Sequence, residues 1–258
     1  MNRILILALC LAPAALPQDK TMTCDDEGHG SEHGHYCEIR EVTVPAGGWL
    51  DVDGGANGGI SIKGSDRGDI LVRSKVQAYR DDESDSRRVA AEIRVETAGG
   101  RVHATGPTSE KHGWGVSYEI FVPQRTDLVL HTHNGGISIS GVQGHTQFEA
   151  VNGGVSLRRL AGSVEGHTTN GGLHLELDSD HWDGDRCDVS TTNGGVTIRV
   201  PSSYSAHLET GTVNGGVSVD FPVTVQGEVN RHLAVDLGSG GRLVRATTTN
   251  GGVRVERM

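Results

Sequence analysis

Apolar and polar residues alternate in short bursts along this chain, and in its second half each burst opens after the tripeptide Asn-Gly-Gly. The tripeptide begins at Asn57, Asn134, Asn152, Asn170, Asn193, Asn214 and Asn250. The next residue is apolar every time: Ile60, Ile137, Val155, Leu173, Val196, Val217 and Val253. Two positions later it is apolar again, as Ile62, Ile139, Leu157, Leu175, Ile198, Val219 and Val255. Between the two stand Ser61, Ser138, Ser156, His174, Thr197, Ser218 and Arg254. Successive side chains of a strand point to opposite faces, so the alternation predicts strands with one buried face and one wet face. Threonine recurs two residues before the asparagine, as Thr132, Thr168, Thr191, Thr212 and Thr248.

From Asn134 onward the intervals are 18, 18, 23, 21 and 36 residues. The last is twice 18, as though one coil lacks the tripeptide and Gly238 to Gly241 belong to it. Two architectures fit. In a meander each Asn-Gly makes a hairpin turn. In a solenoid each repeat is one coil, and equivalent positions stack about 4.8 Å apart. Hairpins need no identical residue at successive turns, whereas stacked coils gain from asparagine ladders. Corner glycines would permit positive φ and close approach of neighbouring coils. The pattern therefore predicts an all-β solenoid of stacked short coils over residues 39–258.

The first half follows another rhythm. Trp49 to Val52, Ile60 to Ile62, Asp69 to Tyr79 and Tyr118 to Pro123 read as strands. Ile93 to Thr97 and Arg101 to Thr105 flank Ala98-Gly99-Gly100 as a hairpin. The charged run Asp81 to Arg88 leads into Arg88-Val89-Ala90-Ala91, the one short helix expected. Regular coils begin near Leu128, within the same domain.

The unit T-x-N-G-G-[IVL]-[ST]-[IVL], after an exported Cys-containing start and the Val122-Pro123 strand, resembles the bacterial putative-adhesin family. The resemblance spans roughly residues 40 to 258. It implies a right-handed β-helix-like fold and a cell-envelope location. It brings no catalytic residues, because its motifs are structural turns.

Composition agrees with thin layers of strand: 38 glycines and only 4% aromatics. Arg3, the apolar stretch Ile4 to Leu11, and Ala12-Pro13-Ala14 read as a signal peptide covering residues 1–15. Leu9 is bulky where a lipobox ahead of Cys10 needs a small residue. No later stretch is long enough to span a membrane, so the expected location is periplasmic or extracellular. A net charge of -10 argues against nucleic acid and anionic membrane surfaces as partners. Residues 16–38 form a Cys/His-rich segment in which Cys24 and Cys37 can close a disulfide, leaving Cys187 as a small residue beside a loop.

Two candidate metal sites follow from residue type. His29, His33 and His35 can offer imidazole nitrogens to Zn²⁺ or another divalent transition metal. Asp178, Asp180, Asp183 and Asp185 crowd the stretch that lengthens one interval to 23, and alternating carboxylates suit Ca²⁺. No nucleophile elbow, Walker loop, metalloprotease or dinucleotide motif occurs. The reading is a non-catalytic envelope protein that binds or scaffolds a glycan or an envelope protein. The alternatives are a metal-binding module and a carbohydrate-active β-helix enzyme. The last coil, with Arg254, Glu256 and Arg257, is expected to blunt the open end of the stack.

Overall fold

The computed structural model of this protein describes residues 22–24, 34–108, 113–220 and 231–258. Residues 1–15, read above as a signal peptide, and His29 and His33 lie outside the described residues. The N-terminal half supplies β1 (Gly34–Pro45), β2 (Trp49–Asp53), β3 (Ile60–Ser65), β4 (Asp69–Arg80), the helix α1 (Glu83–Glu92), β5 (Arg94–Glu96), β6 (Arg101–Thr105) and β7 (Trp114–Pro123). Strand pairs follow: β8 (Asp127–Asn134) with β9 (Ile137–Ser140), β10 (Gln143–Asn152) with β11 (Val155–Arg158), and β12 (Ala161–Asn170) with β13 (Leu173–Glu176). Next come β14 (Arg186–Asn193) with β15 (Val196–Val200), and β16 (Ala206–Asn214) with β17 (Val217–Val219). After β18 (His232–Leu237), the pair β19 (Leu243–Asn250) and β20 (Val253–Arg257) ends the chain.

The strands make two ten-stranded sheets. The first runs β1-β4-β7-β3-β9-β11-β13-β15-β20-β17, and the second runs β18-β16-β19-β14-β12-β10-β8-β2-β6-β5. In each repeat the strand before Asn-Gly-Gly lies in the second sheet and the strand after it in the first. The tripeptide is thus a corner between sheets, and the hairpin reading falls. Neighbouring repeats pair parallel and in register, with Asn134, Asn152, Asn170 and Asn193 opposite one another. Ile137, Val155, Leu173 and Val196 form one column, and each is at most 1% exposed. Burying such side chains stabilises by about 1.5–3 kcal/mol each. The chain needs few aromatics because each layer supplies aliphatic residues to the same narrow interior.

Both sheets are mixed and open, so uniform stacking is not the whole architecture. β1, β4 and β7 pair antiparallel, as do β16 and β18. The hairpin β5–β6 forms as expected, with Glu96 opposite His103. The helix starts at Glu83, five residues before the expected turn. Asp82 caps it by accepting from the Asp85 N–H at 2.8 Å, which holds the Asp82 carboxyl below its usual range. Pairs Glu83–Arg87 and Arg88–Glu92 make the charged run the first half of the helix.

The last coil corrects a second expectation. The pair β19–β20 does not end the stack; it lies between β14–β15 and β16–β17. The repeat order in space is Asn193, Asn250, Asn214. Among the described residues the long interval holds no missing coil of the regular kind. It holds β18, which covers the outer edge of β16, and the Gly238–Gly241 loop that turns the chain back. The charges of the last coil therefore do not blunt an end.

A candidate binding groove along the Asn-Gly-Gly corner

The corner is built from three residue types with separate tasks. The asparagines form an unbroken ladder. Asn134 Nδ2 donates to Asn57 Oδ1 at 3.1 Å, Asn152 to Asn134 at 2.9 Å, and Asn170 to Asn152 at 2.8 Å. It continues through Asn193 to Asn170 and Asn250 to Asn193, each 2.8 Å, and ends with Asn214 to Asn250 at 2.7 Å. The recurring threonine ties layers from inside. Thr132, Thr168, Thr191 and Thr248 each donate to the first-glycine carbonyl of the preceding layer, at 2.6, 2.8, 2.8 and 2.8 Å.

The two glycines differ. A Cβ on the first would strike the neighbouring layer's backbone: 2.2 Å from the Gly58 carbonyl oxygen at Gly135, 2.0 Å from that of Gly135 at Gly153, and 2.1 Å from that of Gly153 at Gly171. At these three positions close approach, not positive φ, demands the first glycine. The second has room. At Gly59, Gly154, Gly172, Gly195 and Gly252 a Cβ would meet nothing nearer than 3.4 Å, and at Gly216 nothing within 4 Å; Gly136 is tighter, at 3.0 Å. None of these seven has a φ in the left-handed region. The second glycines share the outer side of the first sheet with the residue two places later. They leave a trough of bare backbone between the asparagine ladder and the row Ser61, Ser138, Ser156, His174, Thr197, Arg254 and Ser218.

One end of the trough is walled by β4 and β7, which reach past the corner. Gln77, Tyr79, Ser117, Asn57 and Asn134 line a cavity of about 390 Å³ there. Gln77 Nε2 donates to Tyr79 Oη at 3.0 Å, and His35 stacks on Tyr79 with ring centroids 4.8 Å apart. Ser117 Oγ accepts the Gly59 N–H at 3.1 Å, so a hydroxyl already sits at the first position of the trough. At the other end Gly195, Gly252, Gly216 and Arg254 line a cavity of about 440 Å³. Beside the trough, a hollow of about 420 Å³ is lined by Ser156, Arg158, His174, Glu176, Thr197 and Arg199. Glu119, 5% exposed, closes the row by pairing with Arg73 at 2.8 Å and Lys63 at 3.1 Å.

The residues singled out from sequence fall in separate places. Cys24 and Cys37 are joined, with Cα atoms 5.8 Å apart, which ties residue 24 to the edge strand β1. His35 lies on β1, away from the carboxylate loop. Asp178, Asp180, Asp183 and Asp185 are exposed on the loop between β13 and β14. Trp182 plugs that loop into the core and donates to the Gly162 carbonyl at 3.1 Å. The Asp180 and Asp183 carbonyls are taken by the amides of Ser205 and Gly162. Among the described residues no three His, Cys, Asp or Glu side chains gather as a metal site. Cys187 is the second residue of β14, just after the loop between β13 and β14, and lies in the core, where burial pushes its thiol far above the usual range. Gln77, Tyr79 and Ser117 escaped the sequence reading, because nothing in their spacing says that β4 and β7 overrun the corner.

Among the described residues no helix is long and apolar enough to cross a membrane. No protein of curated function is matched by this chain. It is similar to the solved structure of a putative cell adhesion protein from Clostridium sporogenes, at 13% identity over 86% of this chain and all of that one, with a TM-score of 0.44. A putative adhesin from Bacteroides fragilis is 12% identical over 86% and 97% of the two chains, TM-score 0.46. A putative lipid binding protein from Parabacteroides distasonis is 11% identical over 86% and 96%, TM-score 0.35. The model of the Toastrack DUF4097 family matches residues 41–256, and the chain belongs to that family.

Proposed function

We propose that this chain is an exported, non-catalytic binding protein of the cell envelope, a right-handed solenoid whose corner trough holds a linear glycan. One observation carries the reading. The second glycine of every repeat is bare although neither its φ nor its neighbours in the stack require it at six of the seven positions. A bare floor lets a ligand approach the backbone closely. The walls suit hydroxyl-bearing polymers. Asn152, Asn170, Asn193 and Asn250 each use one N–H and one lone pair on their neighbours, which leaves a second donor and a second acceptor, whereas Asn134 gives its second N–H to the Ala56 carbonyl at 2.8 Å. The opposite wall offers serine and threonine hydroxyls, and Tyr79 offers an aromatic edge at one end. A peptide bound as an added strand would need a sheet edge, and the trough is not an edge.

The test is a glycan array probed with the chain lacking residues 1–15, followed by metal analysis of the protein and product analysis of each retained glycan. Retention of linear glycans without chain cleavage is expected. A copurifying divalent metal would favour the metal-binding module, and shortened products would favour a β-helix enzyme. No retained glycan would overturn the reading.

A further inference from the structure

The position of the final coil bears on how this chain meets a second copy of itself. Every coil from β10–β11 to β14–β15 stacks on the one made just before it. The last coil instead enters a slot bounded on both sides by finished strands. β19 pairs parallel with β14, Cys187 opposite Val244, and with β16, Leu208 opposite Val244. β20 pairs parallel with β15 and with β17, through Val196 and Val217 opposite Val253. All coils share one corner pattern, so the β16–β17 layer could rest directly on β14–β15 with its asparagine in register. Charge disfavours that order: Glu209 would face Asp188, and like charges directly opposite are destabilising. Arg245 of the inserted coil separates them, donating to Glu209 Oε2 at 2.7 Å and to Asp188 Oδ2 at 3.3 Å. The outer edge of β16 is closed by antiparallel β18, so the slot is the place left for the coil.

We propose that this slot is an interaction surface for residues 243–257 of a second copy of the chain, and that copies exchange their last coils to form intertwined dimers. The slot recognises the coil by the Arg245 wedge, by Thr248 donating to the Gly194 carbonyl at 2.8 Å, and by the ladder bonds of Asn250 on both sides. None of these contacts depends on which chain supplies the coil. The turn that returns the coil to its own slot holds Gly238, Gly240 and Gly241 at φ 55°, 75° and 146°. Extending such a turn meets little steric resistance, because glycine adopts either sign of φ. In dilute solution the tether's high effective concentration favours the coil's own slot.

Two full-length preparations carrying different labels are mixed, taken through partly denaturing urea, diluted back and sized. Dimers carrying both labels, in a fraction that rises with protein concentration, are expected. Deleting Ser239 to Gly241 shortens the return and is expected to shift the folded protein from monomer to dimer. Hydrogen exchange on the untreated chain gives a second readout, with β19 and β20 opening before β10 and β12. Absence of mixed dimers at every concentration overturns the proposal, as does equal protection of β19 and β10.

Discussion

The interior of the stack and its two ends are made from the same tripeptide, yet they are specified differently. Between Asn134 and Asn193 the layers are fixed by identity with their neighbours: asparagine bonds to asparagine, threonine to glycine carbonyl in all but the layer that carries Ala150, and the first glycine lies on bare backbone. At the ends identity stops being enough. The N-terminal end is finished by the antiparallel strands β1, β4 and β7 and by a disulfide, and the C-terminal end by the β16–β18 pair. A repeat therefore sets spacing and register, whereas unlike elements decide where the stack stops and in what order its layers lie.

That contrast can be broken or sharpened by substitution. The largest effect is expected inside the stack, where Gly153→Ala places a Cβ 2.0 Å from a carbonyl oxygen. A loss on the order of 4 kcal/mol is expected in urea unfolding, while Gly154→Ala should lie within about 1 kcal/mol of the parent. Equal losses for the two would remove the distinction between the glycines.

At the N-terminal end, replacing Cys24 and Cys37 by serine frees a 13-residue separation and should cost about 3 kcal/mol. The same denaturation curve reads it out, and an unchanged midpoint would make the bridge irrelevant to that end. Threonine gives a finer comparison. Thr168→Val strands a glycine carbonyl and should cost about 1–3 kcal/mol. Thr212, in the last layer, has a buried hydroxyl with no partner among the described residues, so Thr212→Val should be neutral or stabilising.

The smallest effect compares two equivalent turns. Gly141 and Arg159 follow the register pair Ser140 and Arg158, and both hold left-handed φ, 68° and 49°. Left-handed backbone costs a non-glycine residue roughly 1–2 kcal/mol, so Arg159→Gly should raise the melting temperature by relieving part of that. A lowered melting temperature would show that the Arg159 side chain contributes more than its backbone costs.

The strand alternation, the stacking of Asn134, Asn152 and Asn170, and the disulfide could all be read from the sequence, because each depends on local period or on short spacing. The layer order could not. Asn214 and Asn250 carry the same signature, and the feature that marks the middle layer, Arg245 paired with Asp188 on one side and Glu209 on the other, joins three residues far apart in the chain. The helix start was misplaced because Asp82 to Arg87 has no apolar stripe, only a cap and charge pairs. The trough was missed for a related reason: in sequence the two glycines look alike, and only the neighbouring layer distinguishes them.

The most direct measurement is glycan retention by a variant carrying Gly154→Ala, Gly172→Ala and Gly195→Ala, checked to unfold at the parent's urea midpoint. If the floor of the trough must stay bare for a ligand, retention should fall at least about tenfold, or 1.4 kcal/mol, while the fold is unaffected. Retention equal to the parent's would contradict the account.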